Sequence, residues 1–391
     1  MDLIKELDKL IESKIDRSKW QKWKFSDLVE NINEKVVPKD SGLDHYIGLE
    51  HLDSGSLHIR RFGETKSLVG DKLKIYKGDI IFAKRNAYLK RVAIAQFDAV
   101  ASAHSLVLRA RSKNVLPEFL PFFLLSETLW KKAVEISVGS LSPTINWPII
   151  AKQEFYLPPK DQQISIAELL WAQDANIEKK LLLLKDLDSL YSLYVDELFS
   201  ERSSIGSRLI LSKVADINKY SLKSNTDKNY TFQYMDIASI IEPKVLGQME
   251  RLTFGSAPSR ARRIVNDHSI VLSLVRPYHK SFVFIEQAQN IVASTGTAVL
   301  NVKNGFSPSF IFHQFFSKKF LTYCETKMSG TNYPAISPTD LAEFEVIVPN
   351  SHETQIELAK KLNSIDKSIL EAKFNIDSSQ MLLQSLINKI F

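Results

Sequence analysis

Two loops in this chain gather the side chains that read nucleic-acid bases. Lys84-Arg85-Asn86-Ala87-Tyr88-Leu89-Lys90-Arg91 and Arg276-Pro277-Tyr278-His279-Lys280 each follow a short β-rich stretch. Arg, Lys and Asn pair with guanine and adenine edges or clamp phosphates, and a loop after a strand can project them into a groove. Candidate DNA contacts are therefore Lys84, Arg85, Asn86, Tyr88, Lys90 and Arg91 in one loop, and Arg276, Tyr278, His279 and Lys280 in the other. A second pair of loops, Gly139 to Asn146 and Gly330 to Ser337, carries small hydroxyl and amide residues beside a glycine. Such residues suit close approach to a phosphate backbone and equally suit a tight turn. From them Ser140, Thr144 and Asn146, and Thr331, Asn332 and Tyr333, join the candidates. Arg260, Arg262 and Arg263 form a further basic cluster with no equally dense counterpart upstream, so the two halves are expected to read different sequences. The competing reading is that these are solubilising charges at hairpin tips.

Catalytic machinery is not evident. Gly63 to Lys72 has the wrong spacing for a phosphate loop, and an Asp precedes the Lys. The His residues show no metal-ligand spacing, and His51 with His58 reads as chance. Asn332-Tyr333-Pro334 has the wrong residue order for an adenine-methylating loop, and Glu325-x-Lys327 lacks a partner Asp for a nuclease. A non-catalytic chain that binds no cofactor or metal is expected. The single Cys324 rules out a disulfide framework and fits a reducing compartment. The first eighteen residues are charged throughout, and no apolar run reaches transmembrane length, so a soluble, cytoplasmic protein is expected.

The elements that would position these loops are duplicated. Gln163, Ala167, Leu170, Asp174, Ile177 and Leu184 return as Gln355, Ala359, Leu362, Asp366, Ile369 and Ile376, a constant offset of 192. Upstream, Pro143 returns as Pro334, Gly139 as Gly330 and Pro117 as Pro308, at offset 191. This is an internal duplication of whole domains and suggests a bipartite target. Residues 160–205 and 351–391 lack Gly and Pro and read as long helices. In the second, Leu362, Ile365, Ile369, Ala372, Ile376, Ser379, Leu383, Leu386 and Ile390 form a three-four seam broken only by Ser379. The equivalent seam in the first is less regular, with Gln173 and Lys180 in it. The fold is expected to be α+β: two similar target-binding domains separated by two helices in an antiparallel coiled coil, with pseudo-two-fold symmetry. The boundaries read as 1–159, including an N-terminal helix, then 160–205, 206–350 and 351–391. The aromatic-rich segments Phe119 to Glu135 and Phe310 to Lys327 read as core. The net charge of +6 is concentrated in the heads: 1–159 holds 25 Lys and Arg against 20 Asp and Glu, and 204–350 holds 16 against 11. A polyanion would bind there and not on the helices.

The segment FYLPPKDQQISIAELLWAQDANIE from Phe155 to Glu178 resembles the central conserved region in specificity subunits of type I restriction-modification enzymes. The distal copy, VIVPNSHETQIELAKKLNSIDKSI, is similar, with Asn350 for the second proline and Thr354 for the first Gln. Tyr46-Ile47-Gly48-Leu49-Glu50 and Lys77-Gly78-Asp79-Ile80 resemble early motifs of that family's target-recognition domains. The resemblance covers the order head, helix, head, helix. It implies that each head reads one half of an interrupted double-stranded DNA target. It also implies that the helices space the heads and dock two modification (methyltransferase) subunits, with restriction and translocase subunits in the larger complex. Those partners would bring S-adenosylmethionine, ATP and magnesium. A purely structural coiled-coil adaptor would explain the helices but not two basic heads with matching loops, and a related subunit of another methyltransferase-based defence system remains open.

Overall fold

The computed structural model describes residues 15–391. The N-terminal helix expected in the first domain lies outside them. The chain divides into two compact units, the first running to Leu181 and regaining Phe374–Phe391, the second spanning Leu182–Lys373. Each unit holds one head and parts of both long helices.

The first head has two main sheets beside a two-stranded pair, Gln21–Lys24 with Glu154–Leu157. Strands Val29–Ile32, Ser105–Ala110, Ile80–Ala83 and Val92–Ile94 lie side by side in that order, all antiparallel. The second sheet orders Lys35–Val36, Lys72–Ile75, Ala99–Ala101, His45–Ile47 and Gly63–Glu64, with one parallel pair, His45–Ile47 beside Ala99–Ala101. Alternation along Ile80–Ala83 explains the layering: Ile80 and Phe82 join the helix-side core, while Ile81 and Ala83 join the core shared with the second sheet. The aromatic helices are core, as expected. Phe119, Phe122, Phe123 and Trp130 are buried, and Trp130 stacks on Phe82 with ring centroids 4.6 Å apart.

The second head repeats the plan. Ala215–Ile217, Thr297–Val302, Ser269–Ser273 and Phe282–Ile285 form one sheet, and Glu250–Thr253, Thr231–Met235, Ile291–Ser294 and Ala261–Val265 the other, again with one parallel pair. Phe310, Phe312, Phe315, Phe316 and Phe320 fill its core. A hairpin, Ile240–Glu242 with Val245–Leu246, is added here.

The central helix is Lys160–Leu198 and the distal helix His352–Ile390, 39 residues each, so the offset of 192 holds at both ends. The central helix stops short of residue 205 because Phe199 turns into the second head's core and packs on Phe310 at 5.3 Å. In the first unit Ile166, Leu170 and Ile177 share a core with Leu383, Leu386 and Ile390; in the second Tyr191, Val195 and Leu198 share one with Ala359, Leu362 and Ile369. The start of one helix meets the end of the other in each unit, so the helices run antiparallel. The seam irregularities answer one another: Lys180 Nζ donates to Ser379 Oγ at 2.7 Å, and Gln173 donates to the Ser379 carbonyl at 3.3 Å.

Each helix also holds its head by side chains at equivalent positions. Buried Gln163 accepts from the Leu116 amide at 2.8 Å and donates to the Pro158 carbonyl at 2.9 Å; buried Gln355 accepts from the Ser307 amide at 2.9 Å and donates to the Pro349 carbonyl at 3.0 Å. Thr354, the distal departure from the Gln pair, sits at the position that does not make this clamp. Asp174 bonds His58 at 2.7 Å, and Asp366 pairs with Lys244. His58 thus serves as the helix's partner in this hold. Burial holds Lys244 down to about 8 even beside Asp366, and its ammonium lies 3.5 Å from the centroid of the Tyr191 ring.

Two tests follow from this packing. Ile376→Asp places a charge at a buried seam position, and chemical denaturation should show a loss of about 3 kcal/mol or more. The hydrogen bond to Asp174 raises the His58 pKa. Its stabilisation is then fully present below the unfolded value of about 6.5 and is lost as pH rises through the folded value. The stability gap between wild type and His58→Gln should be widest below the unfolded value of about 6.5 and shrink as pH rises above it; a gap that widens with pH would contradict the ion pair.

Candidate nucleic-acid interface

In each head the basic loop and the glycine loop, read separately from sequence, join into one surface. The first basic loop begins at the end of strand Ile80–Ala83, passes a 3-10 turn at Ala87–Leu89, and has Asn86 (φ 55°) and Lys90 (φ 48°) left-handed on either side. The second does the same around Pro277–His279, with Arg276 (φ 48°) and Lys280 (φ 54°) left-handed. Asn tolerates this conformation and the longer side chains do so at a cost, which marks both turns as strained in the same way. The Ile145 amide donates to the Lys84 carbonyl at 2.8 Å and the Ile336 amide to the Leu274 carbonyl at 3.0 Å. These bonds align Lys84 with Leu274, Asn86 with Arg276, Tyr88 with Tyr278 and Lys90 with Lys280.

The glycine loops are closed by paired backbone bonds, Val138 with Thr144 and Ser329 with Ala335. Gly139 (φ 108°) and Gly330 (φ 96°) are left-handed, and a Cβ at Gly330 would lie 3.2 Å from the Tyr333 carbonyl oxygen. The tight-turn reading of these loops holds, and the turn presents the hydroxyl and amide residues. Ser140, Asn146, Thr331, Asn332 and Tyr333 are exposed; Thr144 is half-buried and donates to the Ser142 carbonyl at 3.0 Å.

The charges divide into two groups. Arg91 is half-buried, and its guanidinium donates to the Leu49 carbonyl at 2.6 Å; Lys90 is paired with Glu127. Both side chains are thus engaged within the head. Leu49 belongs to the early motif around Gly48, so that motif holds the loop in place. Asp79 of the other early motif is buried and accepts from Arg109 Nε at 2.5 Å. Tyr88 and Tyr278 point out at 56% and 43% exposure, an aromatic at the same turn position in both heads. Arg85 contacts His104 at 3.4 Å. Arg276 donates to the Asn332 carbonyl at 3.0 Å and lies 5.1 Å from the centroid of the Tyr333 ring, which joins the two loops of the second head. The His279 ring packs on Tyr278 at 4.6 Å, and Lys280 is half-buried near Lys244.

The arginine cluster splits. Arg260 is exposed, and its carbonyl accepts from Thr295, next to Gly296, whose carbonyl accepts from Leu274 at the root of the basic loop. It thus borders the surface. Arg262 lies 4.8 Å from the centroid of the Phe254 ring and Arg263 bonds Ser221 at 3.2 Å, so both are partly used within the head. One member has a basic first-head counterpart: Lys74 bonds Glu34 as Ile264 bonds Tyr220, which aligns Lys72 with Arg262, while Gly70 and Leu73 stand opposite Arg260 and Arg263. Sequence reading missed Lys72 and His104. Lys72 lies in a short alternating strand and His104 in a turn before Ser105–Ala110, and neither has a local signature.

Both halves of the chain match the family model for the type I restriction modification DNA specificity domain, over residues 17–184 and 211–376. The chain belongs to that family and is a specificity subunit of a type I restriction-modification system. Among solved structures, it is similar to the type I restriction-modification S subunit from M. genitalium, at 15% identity and a TM-score of 0.58, covering 95% of this chain and 96% of that one. A chain from a structure described as the basis of complex assembly and conformational transition of the type I R-M system matches at 17% identity and a TM-score of 0.57, covering 95% and 97%. The subunit from Thermoanaerobacter tengcongensis matches at 18% identity and a TM-score of 0.45, covering 95% and 96%. Among the described residues no helix is long and apolar enough to cross a membrane.

The division of charges is testable on the folded protein. Arg91→Ala removes a guanidinium bonded to a buried segment and should lower stability by about 1–3 kcal/mol, whereas Arg85→Ala should leave the melting temperature unchanged; calorimetry of both variants separates a structural arginine from a binding one.

Proposed function

We propose that the two heads each recognise one half of an interrupted duplex target, through the surface formed by the basic and glycine loops. The observation that carries this is the duplicated turn: an exposed tyrosine between two left-handed residues, fastened in both heads to a glycine loop. Around that shared frame the contact-forming side chains differ. Asn86 stands where Arg276 stands, and Leu89 where His279 stands. Asn suits adenine edges and Arg suits guanine edges or phosphates, so the two half-sites differ in sequence.

The chain itself carries out no chemistry in this reading. It acts in the cytoplasm, positioning two methyltransferase subunits and, in the larger assembly, restriction subunits. S-adenosylmethionine, ATP and magnesium belong to those partners. The long helices supply the docking surface, with Leu182, Leu190 and Leu193 exposed along the central helix.

Replacing residues 206–350 by the equivalent head of a relative, and sequencing the adenines modified by the reconstituted complex, tests the modular reading. One half of the modified sequence should change and the other should stay. The chain incubated with methyl donor but without partners should modify nothing. A change in both halves, or in neither, would show that the heads do not read independently.

A further inference from the structure

The first head has a cleft of about 370 Å³ beside its basic loop, lined among others by Asn31, Asn33, Lys35, Lys72, Lys84 and Asn146. Lys84 is the informative residue. It is half-buried at the loop's root, its backbone fixed by bonds to His104 and Ile145, and among the described residues its ammonium has no carboxylate within ion-pair distance. At the aligned position the second head has Leu274, buried in that head's core. A leucine therefore satisfies the fold there, and the lysine is not required for packing. A partly desolvated cation without a counter-charge is unfavourable unless an anion arrives.

The surroundings are of the same sign. Lys72 reaches across from the second sheet and spends two bonds on the Val69 and Gly70 carbonyls, at 2.6 and 3.2 Å, leaving one of its three donors free. His104, between the cleft-lining residues Ala103 and Ser105, faces Arg85, Lys84 and Lys72 and no carboxylate. Partial desolvation and these three cations push its pKa down, although the residue is exposed in its turn. Asp71 is the acidic lining residue, and it forms no ion pair with either lysine. Amides from Asn31, Asn33 and Asn146 complete the wall.

We propose that this cleft seats a backbone phosphate of duplex DNA, gripped by Lys72 and Lys84 with Arg85 and His104 beside them, an anchor that the second head lacks. The inference rests on the DNA-recognition reading above. It has a consequence that a general basic surface does not share. A phosphate at Lys84 and Arg85 offsets the part of the His104 shift that Arg85, Lys84 and Lys72 add to desolvation, so seating it raises the His104 pKa and favours proton uptake there.

The test uses the full chain and a mixed-sequence duplex. Because both lysines hold one phosphate, Lys72→Gln, Lys84→Gln and the double variant should each weaken binding about tenfold and each lower the salt slope by about one, the double no more than the singles. Calorimetric titration near about pH 6.5, in two buffers of different ionisation enthalpy, should show proton uptake in wild type and none in His104→Gln. Melting temperatures check that the variants are folded, and the exposed position of His104 in its turn leaves that variant usable if Lys84→Gln is not. An unchanged slope, or a changed slope without proton uptake by His104, overturns the cleft. Arg276→Ala in the second head separates this from failure of the broader reading: weakening there with intact binding in the lysine variants sinks the cleft alone, whereas a wild-type chain that binds no duplex at low salt sinks both.

Discussion

The buried glutamine at the start of each long helix is the contact on which the geometry of each unit depends. A side-chain amide enclosed by protein must have its donors and acceptor satisfied, and Gln163 and Gln355 achieve this only with the backbone of the adjoining head. Eleven residues on, which is three helical turns and so the same face, Asp174 and Asp366 make the second hold. Two fixed points on one face remove the freedom of a head to roll about its helix. The surface that the head presents is then oriented by the helix and not by a flexible joint. The second hold has been kept as a carboxylate while its partner changed, from a histidine in one unit to a buried lysine in the other.

The helix seam shows a similar division between what is kept and what varies. In the first unit Gln173, Lys180 and Ser379 place polar groups inside an otherwise apolar contact, and they satisfy one another. The equivalent positions in the second unit are Ile365, Ala372 and Leu187; Ile365 and Leu187 pack against the apolar core and Ala372 is buried. Polar groups in a seam cost stability relative to apolar ones but penalise any shift of register, because a shifted seam would leave them unpaired. The first unit thus gives up some packing energy for a defined register, and the second does not need to.

Much of this was legible from residue spacing alone. The repeat at offset 192, the absence of Gly and Pro over the helices and the aromatic stripes all reflect local periodicity, and the elements they describe appear where expected. The two loops were legible as separate pieces. Their union was not, because Lys84 and Ile145, or Leu274 and Ile336, are brought together only by sheet pairing between distant segments. Composition likewise shows a run of cations, while only the fold shows that Leu49 and Glu127 engage Arg91 and Lys90. Lys72 and His104 were invisible for the complementary reason. Each is isolated in sequence and becomes part of a cluster only when two sheets meet.

The alignment of the heads by backbone bonds also explains how one scaffold can serve two different recognition tasks. The left-handed turn residues, the glycine and the exposed tyrosine set where side chains emerge, and these features recur. Lys84 and Leu274, Asn86 and Arg276, Leu89 and His279 occupy the same three positions with unlike chemistry. Main-chain bonds fasten the turn in both heads, so Asn86 and Leu89 in one and Arg276 and His279 in the other sit on the same frame, whereas Leu274 is also packed in the core of its head. Arg276 is constrained further. Its stacking on Tyr333 and its bond to Asn332 tie its identity to the neighbouring glycine loop, so a change at 276 has to be matched across the contact. A change at Arg276 is therefore felt in both loops of the second head, and if these loops read the target as proposed, the head as a whole is a better unit of exchange than a single side chain.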